Sequence, residues 1–123
     1  MASKVERVTD VLRGLRTTSP EVIGAVVVSR DGFIVASVIP NEIDEDLIGG
    51  MASTLLGVGE RIATDLMRAE MEQIYVRSPK GFIIVNAVGQ ESALVLLVTR
   101  DAKLGMIFIE LRRIVADLVR QLA

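Results

Sequence analysis

Asn41-Glu42-Ile43-Asp44-Glu45-Asp46 opens a run that continues, from Leu47 to Met67, as LIGGMASTLLGVGERIATDLM. Its first residues offer possible N-caps and four carboxylates, which suit the positive end of a helix dipole. No proline follows until Pro79, and the apolar spacing predicts a helix over 44–70, about 40 Å long at 1.5 Å per residue. Stepping about 100° per residue from Leu47 puts Ile48, Met51, Leu55, Val58, Ile62 and Leu66 in one arc of about 200°, with Ala52, Leu56, Gly59, Ala63 and Met67. Packing on one sheet uses about 100° or somewhat more. The surplus predicts a second buried contact, most simply with the same helix of another copy. The alternative is that the margins of the arc are simply half exposed.

The other side of this helix carries small residues. Gly49, Ser53 and Gly57 follow one another at i+4, with Gly50, Thr54 and Thr64 beside them. Gly49, Gly50, Gly57 and Gly59 together cost the helix about 3–4 kcal/mol relative to alanine, a sizeable part of a domain's usual stability. The flat ridge they leave reads either as a docking surface, rimmed by Glu60, Arg61 and Arg68, or as a plain loss of rigidity.

Outward from this helix, the chain alternates short helices and strands. Ser3 and Glu6 form a capping-box pair, and Val5, Val8, Leu12 and Leu15 predict an amphipathic helix over 4–16. Val22 to Ser29 is apolar on both faces, as a strand covered on both sides is. Asp31-Gly32 turns it back into a strand from Phe33 to Ile39. After the long helix come strands over 72–77, 82–88 and 92–99, joined by Ser78-Pro79-Lys80-Gly81 and Gly89-Gln90-Glu91. Asp101 is expected to cap a last helix with Leu104, Ile107, Phe108, Leu111, Ile114, Val115, Leu118 and Leu122 inside. The order α-β-β-α-β-β-β-α, with tight turns between strands, predicts a single α+β domain over 1–123: a five-stranded antiparallel sheet with helices on both faces. Gln73, Ile74, Tyr75 and Val76 lie in a strand that, placed at the sheet edge, would offer free backbone groups to a second chain.

Composition narrows the function. Among 123 residues, 14 Lys and Arg stand against 16 Asp and Glu, a formal charge of −2, which supplies no overall basic field for nucleic acid. There is no Cys and no His, so thiolate chemistry and the usual general base and metal ligand are absent. No secretory signal is visible, and no apolar run approaches the roughly 18 residues of a membrane span. A cytoplasmic chain with no membrane insertion is expected. A mean hydropathy of +0.47 with half of the residues hydrophobic is high for a small domain and points to a partner over the surplus apolar surface.

Three stretches carry a family resemblance. Ser29-Arg30-Asp31-Gly32-Phe33-Ile34-Val35-Ala36 looks like the first hairpin of the roadblock/LC7 family, whose fold is longin/profilin-like. Met71-Glu72-Gln73-Ile74-Tyr75-Val76 is similar to its third strand, and Thr99-Arg100-Asp101-Ala102-Lys103-Leu104-Gly105-Met106 resembles the loop entering its last helix. The resemblance implies a homodimer in which the long helices pair through Ile48, Met51, Leu55, Val58, Ile62 and Leu66, and in which the strands of Gln73, Ile74, Tyr75 and Val76 join into a ten-stranded sheet. It further implies a small Ras-like GTPase as partner, seated over the paired helices on Gly50, Ser53, Thr54, Gly57, Arg61 and Thr64. Family members of this branch regulate hydrolysis or exchange; others are scaffolds.

No activity of the chain's own is expected. No G-x-x-x-x-G-K-[ST] occurs, and Gly57-Val58-Gly59 lacks both the preceding strand and the third glycine of a dinucleotide site, so no cofactor is expected. The acidic residues 42–46 read as a helix start rather than a metal site. Arg30, Arg61 and Arg68 are the arginines that could reach a GTPase as a finger, although a regulator that favours one GTPase conformation needs no such group. The leading expectation is therefore a non-enzymatic homodimeric GTPase regulator, and the alternative a scaffold dimer that localises a GTPase without changing its turnover.

Overall fold

In a computed structural model, which describes residues 2–123, the chain forms three helices and one five-stranded antiparallel sheet. Helix α1 (Lys4–Thr18) begins at Ser3, whose hydroxyl accepts the Glu6 amide at 3.1 Å. Strands β1 (Val22–Ser29) and β2 (Ile34–Val38) form the first hairpin. Helix α2 (Glu45–Met67) is capped by Asp44, whose carboxylate accepts from the Asp46 and Leu47 amides. Strands β3 (Gln73–Ser78), β4 (Gly81–Val88) and β5 (Ser92–Thr99) make a meander, and α3 (Leu104–Leu122) closes the fold.

The spatial order of the strands is β2-β1-β5-β4-β3. The innermost strands, β1 and β5, read as near-continuous apolar runs because each is covered on both faces. On one face α1 and α3 bury Val8, Leu12, Leu111, Ile114 and Leu118 against Ala25, Val27, Phe82, Ile84 and Leu96. On the other, α2 alone sets Ile48, Ala52 and Leu56 against Val26, Val28, Val85 and Val95. Two helices thus cover one face and one helix the other.

Some element ends differ from the sequence reading; α1, for one, runs to Thr18 rather than residue 16. Helix α3 starts at Leu104 behind Lys103, with no side-chain cap, whereas Asp101 was the expected cap. Asp101 belongs to the turn before it: the Ala102 amide bonds the Thr99 carbonyl, and the helix opens instead with the Met106 and Ile107 amides on the Lys103 carbonyl. Helix α2 also ends earlier than residue 70, because Arg68 adopts the left-handed conformation (φ 52°) and its amide closes the helix onto Thr64.

Candidate interaction surface

Helix α2 divides into sectors. Ile48, Gly49, Ala52, Leu56 and Gly59 are buried within the chain. Next to them, Gly49, Ser53 and Glu60 face the β1–β2 turn. A Cβ on Gly49 would strike the Gly32 carbonyl, and one on Gly32 would lie 2.9 Å from the Gly49 oxygen, so glycine at both positions lets helix and turn touch backbone to backbone. The Ser53 hydroxyl donates to the Arg30 carbonyl at 2.9 Å, and the Arg30 guanidinium pairs with Glu60 and donates to the Gln90 carbonyl. These contacts hold the hairpin tip against α2 and leave Arg30 engaged inside the chain.

The third sector is apolar and open to solvent. Met51 and Val58 are each 51% exposed, Ile62 50% and Leu66 75%, while Leu55 is half-buried against the sheet. Ile48, expected in this seam, is only 8% exposed because it packs on Val26 and its neighbours. It is therefore largely covered before any partner arrives. The same side of the sheet also carries exposed apolar groups. Val76 and Ile83 pair across β3 and β4, on the face carrying Ile74 and Val85, and both remain exposed where α2 does not reach.

A fourth sector holds the small residues. Gly50, Thr54, Gly57, Arg61 and Thr64 are exposed, and Ser53 is half-buried. A Cβ at Gly50 or Gly57 would meet nothing within 4 Å, whereas one at Gly59 would collide with Met71. The four glycines thus serve two purposes: Gly49 and Gly59 permit packing within the chain, and Gly50 and Gly57 leave an open strip outside it. Sequence spacing could not separate the two pairs, since their neighbours are distant in the chain.

Strand β3 lies at the sheet edge, with β4 as its one neighbour. Gln73 donates to the Asn86 side chain at 2.9 Å, and Tyr75 lies 6.0 Å from Phe108, ring centre to ring centre. A groove of about 1220 Å³ passes this edge, bordered by Thr64, Glu70, Gln73, Asn86, Phe108 and Arg112. Among the described residues no cluster of His, Cys, Asp and Glu is arranged to hold a metal ion, and no helix is long and apolar enough to cross a membrane.

The family model of the roadblock/LC7 domain matches residues 8–98. The chain belongs to the roadblock/LC7 family. An uncharacterized protein of Methanocaldococcus jannaschii is 34% identical to this roadblock/LC7 domain over 90 residues, 73% of this chain and 78% of the relative. The structure of the gliding protein MglB from Thermus thermophilus is similar across 98% of this chain and 92% of its own, with a TM-score of 0.86 at 19% identity. A roadblock/LC7 domain from Streptomyces avermitilis has the same TM-score over 93% of this chain and 96% of its own, at 21% identity. Profilin II of Acanthamoeba castellanii, at a TM-score of 0.65 and 12% identity over 89% of this chain and 94% of its own, shares the underlying fold.

Proposed function

We propose that this roadblock/LC7 domain is a homodimeric regulator of a small Ras-like GTPase, altering its hydrolysis or nucleotide exchange without a hydrolytic step of its own. The observation that carries the dimer is the α2 side of the sheet. One helix serves five strands there, and Met51, Val58 and Ile62 on the helix and Val76 and Ile83 on the same face of the sheet are all exposed. A second α2, brought in by a two-fold axis beside the free β3 edge, removes both apolar surfaces from water at once. Membership of the family and the likeness to MglB support the GTPase as partner.

The open strip Gly50, Thr54, Gly57, Arg61 and Thr64, with Ser53 at its margin, is the proposed GTPase contact. A Cβ at Gly57 meets nothing within 4 Å, so Gly57→Arg starts from open space and tests the strip with the fold expected to hold. The dimer should keep its mass while the cognate GTPase loses binding. Turnover of that GTPase with and without the dimer decides the regulatory part: unchanged rates under saturating binding would turn the reading into a scaffold. Retained affinity of the Gly57→Arg dimer would move the docking surface elsewhere.

A further inference from the structure

The formal charge of −2 conceals a division between the two faces of the sheet. Residues 41–72, which hold α2 and its flanks, carry eight carboxylates against two arginines, a net −6. Helix α1 and residues 100–123, which hold α3 and the loop before it, carry nine Lys and Arg against five Asp and Glu, a net +4. The sheet separates these layers except at the β3 edge, where Arg112 borders one groove with Glu70 and Glu72. On the positive side Asp10, Glu110 and Asp117 are already paired with Arg13, Arg113 and Arg120. Lys103 and Arg112 have no carboxylate partner among the described residues.

The same face presents apolar side chains that the core does not use. Ile107, Leu111, Ile114 and Leu118 form the buried side of α3, and Met106 and Ile109 project from its outer side, 66% and 72% exposed, one turn from Lys103 and Arg112. Cations surrounding protruding aliphatic groups are what binding to the interface of an anionic bilayer requires. The cations gather at the surface potential, and the aliphatic groups enter the boundary of the acyl chains. A polyanion without an apolar phase would use the charge but leave Met106 and Ile109 in water. The acidic α2 side strengthens the orientation, since repulsion from the same surface turns it outward.

We infer that the outer face of α1 and α3 is a peripheral contact for an anionic lipid surface, opposite the α2 side. The placement of charge and apolar groups in a single chain carries this inference. Only a doubling of it rests on the dimer reading, because strands joined at β3 keep each face continuous and set two positive layers side by side. Lipid contact on this face leaves the strip of Gly50 and Gly57 free for its partner.

Co-sedimentation of the full chain with vesicles of phosphatidylcholine alone, or mixed with phosphatidylserine, tests it. Binding is expected on the mixed vesicles at low ionic strength and should fade as added salt shortens the screening length. Each cation near such a surface is worth about fivefold in affinity, so Lys103→Glu with Arg112→Glu should lower binding by at least about tenfold. Met106→Ser with Ile109→Ser should lower it as well, and less steeply with salt. All four positions are exposed, but Arg112 borders the groove at the β3 edge, so Lys103→Glu alone, expected to lower binding by about fivefold or more, keeps the charge test independent of the dimer. A Val58→Asp monomer should bind more weakly than the dimer yet still prefer phosphatidylserine, which separates this inference from the dimer reading. Equal behaviour on the two vesicle types, or unchanged binding by the charge-reversed variant, would overturn it, as would retention on a heparin column with no vesicle binding.

Discussion

Glycine shows at the residue scale how one side chain type does opposite work in one helix. Gly49 lies against the Gly32 carbonyl, whereas Gly57 faces open space. An added methyl at Gly49 must push α2 away from the β1–β2 turn, loosening the Ser53 and Glu60 contacts with Arg30. Gly49→Ala is expected to destabilise the protein by about 1–3 kcal/mol, through overpacking against backbone that cannot rotate aside. Gly57→Ala should do the reverse and stabilise by up to about 1 kcal/mol, the gain in helix propensity at an unhindered site. Midpoints of urea unfolding, measured on the two variants and the parent, give both signs. Helix propensity alone would have made both substitutions stabilising, so the sign at Gly49 depends on a contact between residues seventeen positions apart in the chain.

The decisive element is α2, and its sectors explain which substitutions probe which contact. Leu55 is half-buried on its own sheet, so a charge there disturbs fold and dimer together. Val58 sits in the middle of the open stripe and is the cleaner probe. Val58→Asp is expected to leave the chain folded and shift it from dimer to monomer, read by light scattering beside circular dichroism; an unaltered dimer mass would end the paired-helix model. Burying a charge without a partner costs several kcal/mol, more than such a seam tolerates. Strand β3 gives an independent reading. In the dimer its outward-facing amides should be protected from hydrogen exchange, and in the Val58→Asp monomer they should exchange rapidly while those bonded to β4 stay slow. Periodicity had already revealed both elements, because a helix face and a strand alternation are local patterns. It did not separate Ile48, which the chain's own sheet already covers, from Val58, because an arc of apolar residues does not say where that sheet stops.

For the whole molecule, the arrangement is a three-layer body whose sides differ in both charge and apolar content. In the proposed reading the face covered by one helix takes a second copy, the adjoining strip a GTPase, and the two-helix face an anionic surface. Adding the dimer to a GTPase in the presence of phosphatidylserine vesicles should bring the GTPase down with the vesicles, and Gly57→Arg should abolish that transfer while leaving the dimer itself bound. Which elements exist, their order and their antiparallel pairing were legible in the sequence, because turns such as Asp31-Gly32 and the 3.6-residue and two-residue periods are set by neighbours along the chain. Only the tertiary structure decided which side of α2 is spent on the sheet, which glycines touch backbone, why Lys103 rather than Asp101 precedes α3, and that most of the charge divides between opposite layers. Each of these depends on residues far apart in sequence meeting across a packed core, and a linear pattern carries no record of that distance.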